Sequence, residues 1–160
     1  MLGRLSKPVS ASEVVSYRLM MPSDANPAGN IHGGIVLKMI DEVGGIVAYR
    51  HARMNVVTAS IDRVDFFHPV KVGDLLILKS AVNYVGRTSM EVGVRVESEN
   101  LTTGAVKHVG SSYMTFVAMD KSGRPAEIPD IQPVTDKEIS RYDEGAARRR
   151  ARLGLLRRRS

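Results

Sequence analysis

Residues 31–50, within GNIHGGIVLKMIDEVGGIVAYR, carry helical periodicity, and the stretch that follows is written almost entirely in strand period. Val36, Met39, Ile40, Val43, Ile46 and Val47 fall on one helical face. NVVTASIDRVDFF (55–67) is rich in β-branched residues, and LLILKSAVNYV (75–85) is largely apolar. SMEVGVRVESE (89–99) alternates, with Met90, Val92, Val94 and Val96 on one side and Glu91, Arg95 and Glu97 on the other. AVKHVGSSYMTFVAM (105–119) is a fourth long strand, and VVSYRLMM (14–21) precedes the helix as a first one. The joins HPVKVGD, GRT and NLTTG are short, so these strands run antiparallel and the single helix covers one face of their sheet. DKEISRYDEGAARRRARL (136–153) is expected to be a C-terminal helix capped by Asp136. The expected architecture is α+β: an antiparallel sheet wrapped around one central helix over residues 1–135, then a helix and arginine-rich tail over 136–160.

Composition excludes several function classes. The chain of 160 residues has no cysteine, so disulfides, thiol nucleophiles and cysteine-bound metals are out. No apolar run approaches the ~20 residues that span a bilayer, and the N-terminal segment lacks the apolar core of a signal peptide. A cytoplasmic protein without a transmembrane segment is expected. The net charge of +6 comes from residues 146–160, which hold seven arginines and no acid. The remaining 145 residues carry 16 basic and 17 acidic side chains, and aromatics are few. No specific nucleic-acid partner is expected on that balance, because a stacking platform is missing. The alternative use of the tail, binding nucleic acid or an anionic membrane, competes with a solvated helix end carrying Leu153, Leu155 and Leu156.

The helix itself is unusual. Gly33, Gly34, Gly44 and Gly45 each weaken it by roughly 1 kcal/mol relative to alanine. Gly44 and Gly45 suit either tight helix–sheet packing or the close approach of a ligand. Helical spacing places Asp41 at the outer margin of the apolar arc beside Gly45, and Glu42 on the solvated side near Lys38. An acid at that margin is either paired structurally or used chemically. Upstream, GNIHGG brings free N–H groups and the positive end of the helix dipole together, which suits a carbonyl oxygen that becomes an anion during reaction. Asn30 adds a donor and an acceptor, while His32 is a candidate base or a hydrogen-bonding residue. No pair of histidines and acids has metal spacing, so no metal or separate cofactor is expected. A carboxylate, a carboxamide and a helix N-terminus together suit attack of water on an activated acyl group.

These segments carry a family resemblance. MPSDANPAGNIHGGIVLKMIDEVGGIVAYRHA (21–52), VVTASIDRVDFFHPVKVGD (56–74) and VGRTSMEVGVRVESEN (85–100) resemble the hot-dog-fold acyl-CoA thioester hydrolases, in the branch of the bacterial and brain-type cytosolic enzymes. The similarity runs on into SSYMTFVAMDKSGRPAEIP and EISRYDEGAARRRAR. The resemblance implies hydrolysis of acyl-CoA to a fatty acid and coenzyme A. It implies a homodimer with shared active sites, assembled as a trimer of dimers, in which Asn30 of one subunit works with Asp41 of the other. The helix entry at His32, Gly33 and Gly34 is expected to face the thioester, and the resemblance further implies that Gly86, Arg87, Thr88 and Ser89 bind coenzyme A. Two alternatives use the same fold: a dehydratase on an acyl thioester, relying on His32 and Glu42, and a non-catalytic acyl-CoA sensor.

Overall fold

The computed structural model describes residues 3–159; Met1, Leu2 and Ser160, the end of the expected tail, lie outside the described residues. Strand β1 (Ser6–Pro8) is followed by β2 (Val14–Leu19), then by helix α1 (Gly33–Ala52). Four long strands come next: β3 (Asn55–Phe66), β4 (Leu75–Val85), β5 (Ser89–Glu99) and β6 (Val106–Met119). A short strand β7 (Asp130–Gln132) leads to helix α2 (Asp136–Arg157). The main sheet has the order β2-β4-β5-β6-β3 and is antiparallel throughout. Its edges are therefore β2 and β3. No described helix is long and apolar enough to cross a membrane.

Helix α1 lies on the inner face of the sheet. Val36, Met39, Ile40, Val43 and Val47 are buried against Leu76, Leu78, Val92, Val94, Met114 and Phe116. Ile46 departs from the expected pattern and is 51% exposed, because it turns toward a groove beside the β3 edge and away from the sheet. Gly44 is explained by the sheet side chains: a Cβ there would stand 3.1 Å from Met114 Sδ and 3.3 Å from the Phe116 ring. At Gly45 the nearest atom would be 4.0 Å away, so this glycine opens the groove and Gly44 seats the helix.

Three features escape local reading. Strands β1 and β7 pair in parallel, with Lys7 opposite Ile131; at three residues each, only their long-range partnership makes them strands. Helix α2 continues to Arg157, and its cap is Thr135, not Asp136. Thr135 Oγ1 accepts from the Glu138 N–H and Glu138 Oε2 accepts from the Thr135 N–H, a reciprocal pair that Asp136 cannot form one position later. Glu91 of β5 is buried beneath α2. Arg148 forks onto Glu91 through two hydrogen bonds of 2.9 and 2.7 Å, its guanidinium lying 3.7 Å from the centre of the Tyr113 ring. Gly145 lets the helix reach the sheet there, since a Cβ would come within 2.9 Å of Tyr84 Cβ.

His51, in the last turn of α1, is fully buried and ties the helix to the β1–β7 clip. Its Nε2–H donates to the Pro129 carbonyl at 2.8 Å, and its own carbonyl accepts from Lys7 Nζ at 2.7 Å. Nδ1 has no partner among the described residues, so protonation would bury an unsatisfied N–H and a charge. Burial accordingly pushes the imidazole below the ordinary histidine range, partly offset by the Pro129 hydrogen bond.

Two predictions follow from these contacts. Gly44→Ala gains roughly 1 kcal/mol of helix propensity but overpacks two buried side chains at a cost of about 1–3 kcal/mol. Its urea midpoint falls relative to Gly45→Ala; equal midpoints would contradict the assigned contact. For His51 the folded state resists protonation, so below the unfolded value of 6.5 the unfolded chain binds the extra proton. Stability is full above that pH and declines as pH falls, by up to about 1.4 kcal/mol per pH unit. His51→Gln flattens this part of the stability–pH curve.

Candidate active site

Asp41 emerges from the middle of α1 and is exposed in the protomer, although helical spacing put it at a buried margin. The difference has a simple cause. The face that carries Asp41, Gly45 and Ile46 overhangs the β3 edge, where no further strand of the same chain covers it. Thr58 of β3 donates from Oγ1 to Asp41 Oδ1 at 2.7 Å, fixing the carboxylate and leaving Oδ2 free. The pair lines a groove of about 690 Å³ together with Ile46, Tyr49, Met54, Val56 and Phe116, with Glu42, Arg50, Arg53 and Asn55 also on its walls. An acid is thus presented to a mainly apolar groove, a layout that can hold an aliphatic group beside a carboxylate.

The other half of the predicted site is elsewhere. Asn30 and Gly33 line a separate cavity of about 230 Å³ with Phe66, Phe67 and His68, near the far end of β3. Gly33 and Asp41 are eight residues apart on α1, about 12 Å along its axis. A single chain therefore brings Asp41 to Thr58, and Asn30 to Gly33, without bringing the two pairs together.

His32 is the N-cap of α1, its Nδ1 accepting from the Gly34 N–H at 2.9 Å. That contact spends Gly34's donor, which had been expected to face the substrate, and leaves the proton of His32 on Nε2. The Gly33 N–H has no acceptor among the described residues, so the helix entry offers one free backbone donor. His32 thus serves the helix entry as a cap through Nδ1. Glu42 pairs with Lys38 at 3.7 Å on the exposed face, ten residues along the helix from His32, so the dehydratase pair is not assembled within the protomer.

The loop before the helix is organised by Asn26, which the sequence reading passed over. Its Oδ1 accepts from the Ala28 and Asn30 N–H groups at 3.0 and 3.2 Å, while its backbone N–H donates to the Asn30 carbonyl at 2.7 Å. The side-chain Nδ2 remains available as a donor. The Asn-Pro-Ala-Gly turn composition was the legible signal for this; for Thr58 there was none, because its meeting with Asp41 depends on how helix and strand cross.

The turn Gly86–Ser89 joins β4 to β5 and is closed by the Gly86 N–H donating to the Ser89 carbonyl at 2.8 Å. The Arg87 carbonyl accepts from Ile128 N–H at 3.1 Å and the Thr88 carbonyl from Ala118 N–H at 2.9 Å. Arg87 itself extends into solvent, with Nε 3.3 Å from Glu127.

Comparison with known proteins agrees with this layout. The thioesterase superfamily model matches residues 28–105. The chain is 39% identical over 137 residues to an uncharacterized acyl-CoA thioester hydrolase of Bacillus subtilis, covering 86% of this chain and 80% of that protein. It superposes on a hexameric acyl-CoA thioesterase with a TM-score of 0.92 at 45% identity, covering 95% of this chain and 97% of the other. The acyl-CoA hydrolase of Staphylococcus aureus, solved with butyryl coenzyme A and coenzyme A, gives a TM-score of 0.86 at 36% identity, covering 96% and 95% of the two chains. Alanine variants of that hydrolase have also been solved; they replace an aspartate, an asparagine fifteen residues before it, and a threonine seventeen residues after it. The helix wrapped by an antiparallel sheet and these likenesses together place the chain in the thioesterase superfamily, among its hot-dog-fold acyl-CoA thioester hydrolases.

Proposed function

We propose that this protein hydrolyses acyl-CoA at sites shared between two protomers, with Asp41 and Thr58 from one and the loop of Asn26, Asn30 and Gly33 from the other. The observation that carries this reading is the carboxylate of Asp41, held by Thr58 on the wall of a mainly apolar groove. Its separation from Thr58 is that between the aspartate and threonine replaced in the Staphylococcus aureus hydrolase, and Asn26 lies fifteen residues before Asp41, the spacing of the replaced asparagine. We therefore give the donor role to Asn26 Nδ2, and to Asn30 the part of fixing the loop and lining its cavity.

The edge strand supports a shared site. β3 is twelve residues long, lacks a neighbour on its outer side, and exposes Val57 and Ile61. Pairing this edge antiparallel with its own copy about a two-fold axis sets the Asn55–Thr58 end of one strand against the Phe66 end of the other. The groove at Asp41 then meets the partner's cavity at the helix entry. Each dimer holds two such sites, and three dimers make the hexamer described for the relative.

In the reaction, the acyl chain occupies the groove and the thioester carbonyl points at the free Gly33 N–H and Asn26 Nδ2 of the second protomer. Asp41 Oδ2 takes a proton from water as the water oxygen bonds to the carbonyl carbon. The oxyanion collapses, the carbon–sulfur bond breaks, and the coenzyme A thiolate leaves with the proton that Asp41 had taken, which restores the carboxylate. Thr58 keeps Oδ1 hydrogen-bonded throughout, so only Oδ2 is presented to water.

Steady-state hydrolysis across acyl chain lengths tests this reading. Asp41→Asn should lower kcat by about 10²–10⁴-fold and Asn26→Ala by about 10²-fold. Thr58→Ala should cost about tenfold, the worth of one positioning hydrogen bond. Asn30→Ala should cost less than Asn26→Ala. Turnover by Asp41→Asn at the wild-type rate would remove the site assignment, and tight coenzyme A binding without turnover would favour the sensor.

A further inference from the structure

We infer that the last turns of α2 cross the open β3 edge and dock on the partner protomer, with Leu153, Leu155 and Leu156 resting on the outer face of its sheet. This rests on the β3 pairing proposed above and gives the leucines of the arginine-rich tail a role.

Helix α2 crosses the outer face of the sheet in strand order. The Tyr142 ring lies 5.0 Å from that of Tyr84 on β4. Arg148 bonds to Glu91 of β5 and stacks on Tyr113 of β6, and Arg152 reaches Asp62 of β3 at 3.3 Å. From Tyr142 to Arg152 the helix rises about 15 Å, and the strand spacings from β4 to β3 sum to about 14 Å. The helix therefore runs nearly square to the strands and advances one strand in about three residues. At Arg152 it has reached the edge, because no described strand of the same chain flanks β3 on its outer side. Yet α2 continues to Arg157. The next strand position falls beneath residues 155 and 156, and in the paired sheet the partner's β3 occupies it.

Side-chain chemistry changes at the same point. At about 100° per residue, Leu153, Leu155 and Leu156 fall on the arc that carries Tyr142, Gly145, Arg148 and Arg152 toward the sheet, with Leu156 near its centre. Each of those earlier positions has a sheet residue beneath it. The three leucines overhang the edge and are 40, 61 and 55% exposed in the protomer. Arg150, Gly154 and Arg158 take the solvated side. An apolar arc on the sheet-facing side of a helix, past the end of its own sheet, is shaped for a neighbouring sheet.

The partner offers a matching surface. Val56 and Thr58 line the Asp41 groove on the inner face, so Val57 between them points outward. It is 40% exposed and pairs with Val117 of β6. With the Asn55–Thr58 end of one β3 against the Phe66 end of the other, the partner's Val57 lies about opposite Asp65, just beyond the Asp62 that Arg152 holds. Leucine packed on valine there braces the strand that carries the partner's Thr58. The tail of each chain thus supports the residue that holds Asp41 in the other.

Cross-linking tests the contact, and a chain without cysteine makes introduced thiols unambiguous. The full chain carrying Val57→Cys and Leu156→Cys, treated with a short bis-maleimide, should run as a covalent dimer on a denaturing gel. Val57→Cys with Arg150→Cys, and Leu156→Cys alone, should stay monomeric. Linkage confined to one chain, or equal dimer yields from the controls, would overturn the inference. Ile61→Cys, at the middle of the edge strand, reads the β3 pairing by itself. Linkage there without linkage through Val57 and Leu156 sinks the docked tail and leaves the dimer standing, whereas loss of both removes the shared site as well. Replacing Leu153, Leu155 and Leu156 together by serine should raise the constant for dissociation to protomers by at least about 100-fold in a dilution series. The protomer's circular dichroism should not change, and an unchanged constant would contradict the docking. None of these readouts involves turnover, so a failure of the hydrolase reading remains distinguishable.

Discussion

The open edge of β3 is the constraint on which the rest of this structure depends. A strand of twelve residues with unpaired backbone groups and apolar side chains facing water is costly and prone to wrong pairing. It lies beside Asp41, Ile46 and Tyr49, which the protomer leaves exposed over the same groove. The proposed pairing of this edge with its copy would satisfy the backbone, cover the apolar side chains and close the groove in one event. The acid would then cease to be a surface residue and become part of a chamber.

The entry and the middle of α1 do different work. At the entry, the His32 cap consumes the Gly34 N–H and leaves that of Gly33 without an acceptor among the described residues. In the middle, Gly44 lets the helix settle on Met114 and Phe116, which sets the height at which Asp41 meets Thr58. A bulkier residue at Gly44 would lift the helix and lengthen that 2.7 Å contact, so a packing residue governs a chemical distance. On the opposite face, α2 is fastened by the Arg148–Glu91 fork, and this brings Arg149 onto Gly86.

Much of the fold was legible in the sequence because its signals are local. Strand period from residue 55 to 119 and one helical segment before it implied the layers, and β4 and β5 begin and end where alternation indicated. The family resemblance then supplied the assembly that periodicity could not. What escaped depended on distant partners: the β1–β7 clip, the burial of Glu91 beneath a basic helix, and Thr58 as the holder of Asp41. Asp41 was singled out as an acid at a buried margin, whereas it is exposed, because the face that carries it overhangs the uncovered β3 edge. Asn26 was overlooked because a turn-forming asparagine draws less notice than one beside the helix entry.

Subunit complementation tests the shared site most directly. Asp41→Asn and Asn26→Ala, each nearly inactive alone, are mixed by co-expression or by unfolding and refolding together. Random pairing makes half of the dimers hybrid, and each hybrid carries one site with both lesions and one with neither. Activity should recover to about a quarter of the wild-type rate. Mixtures no more active than the separate variants would contradict a site built from two protomers.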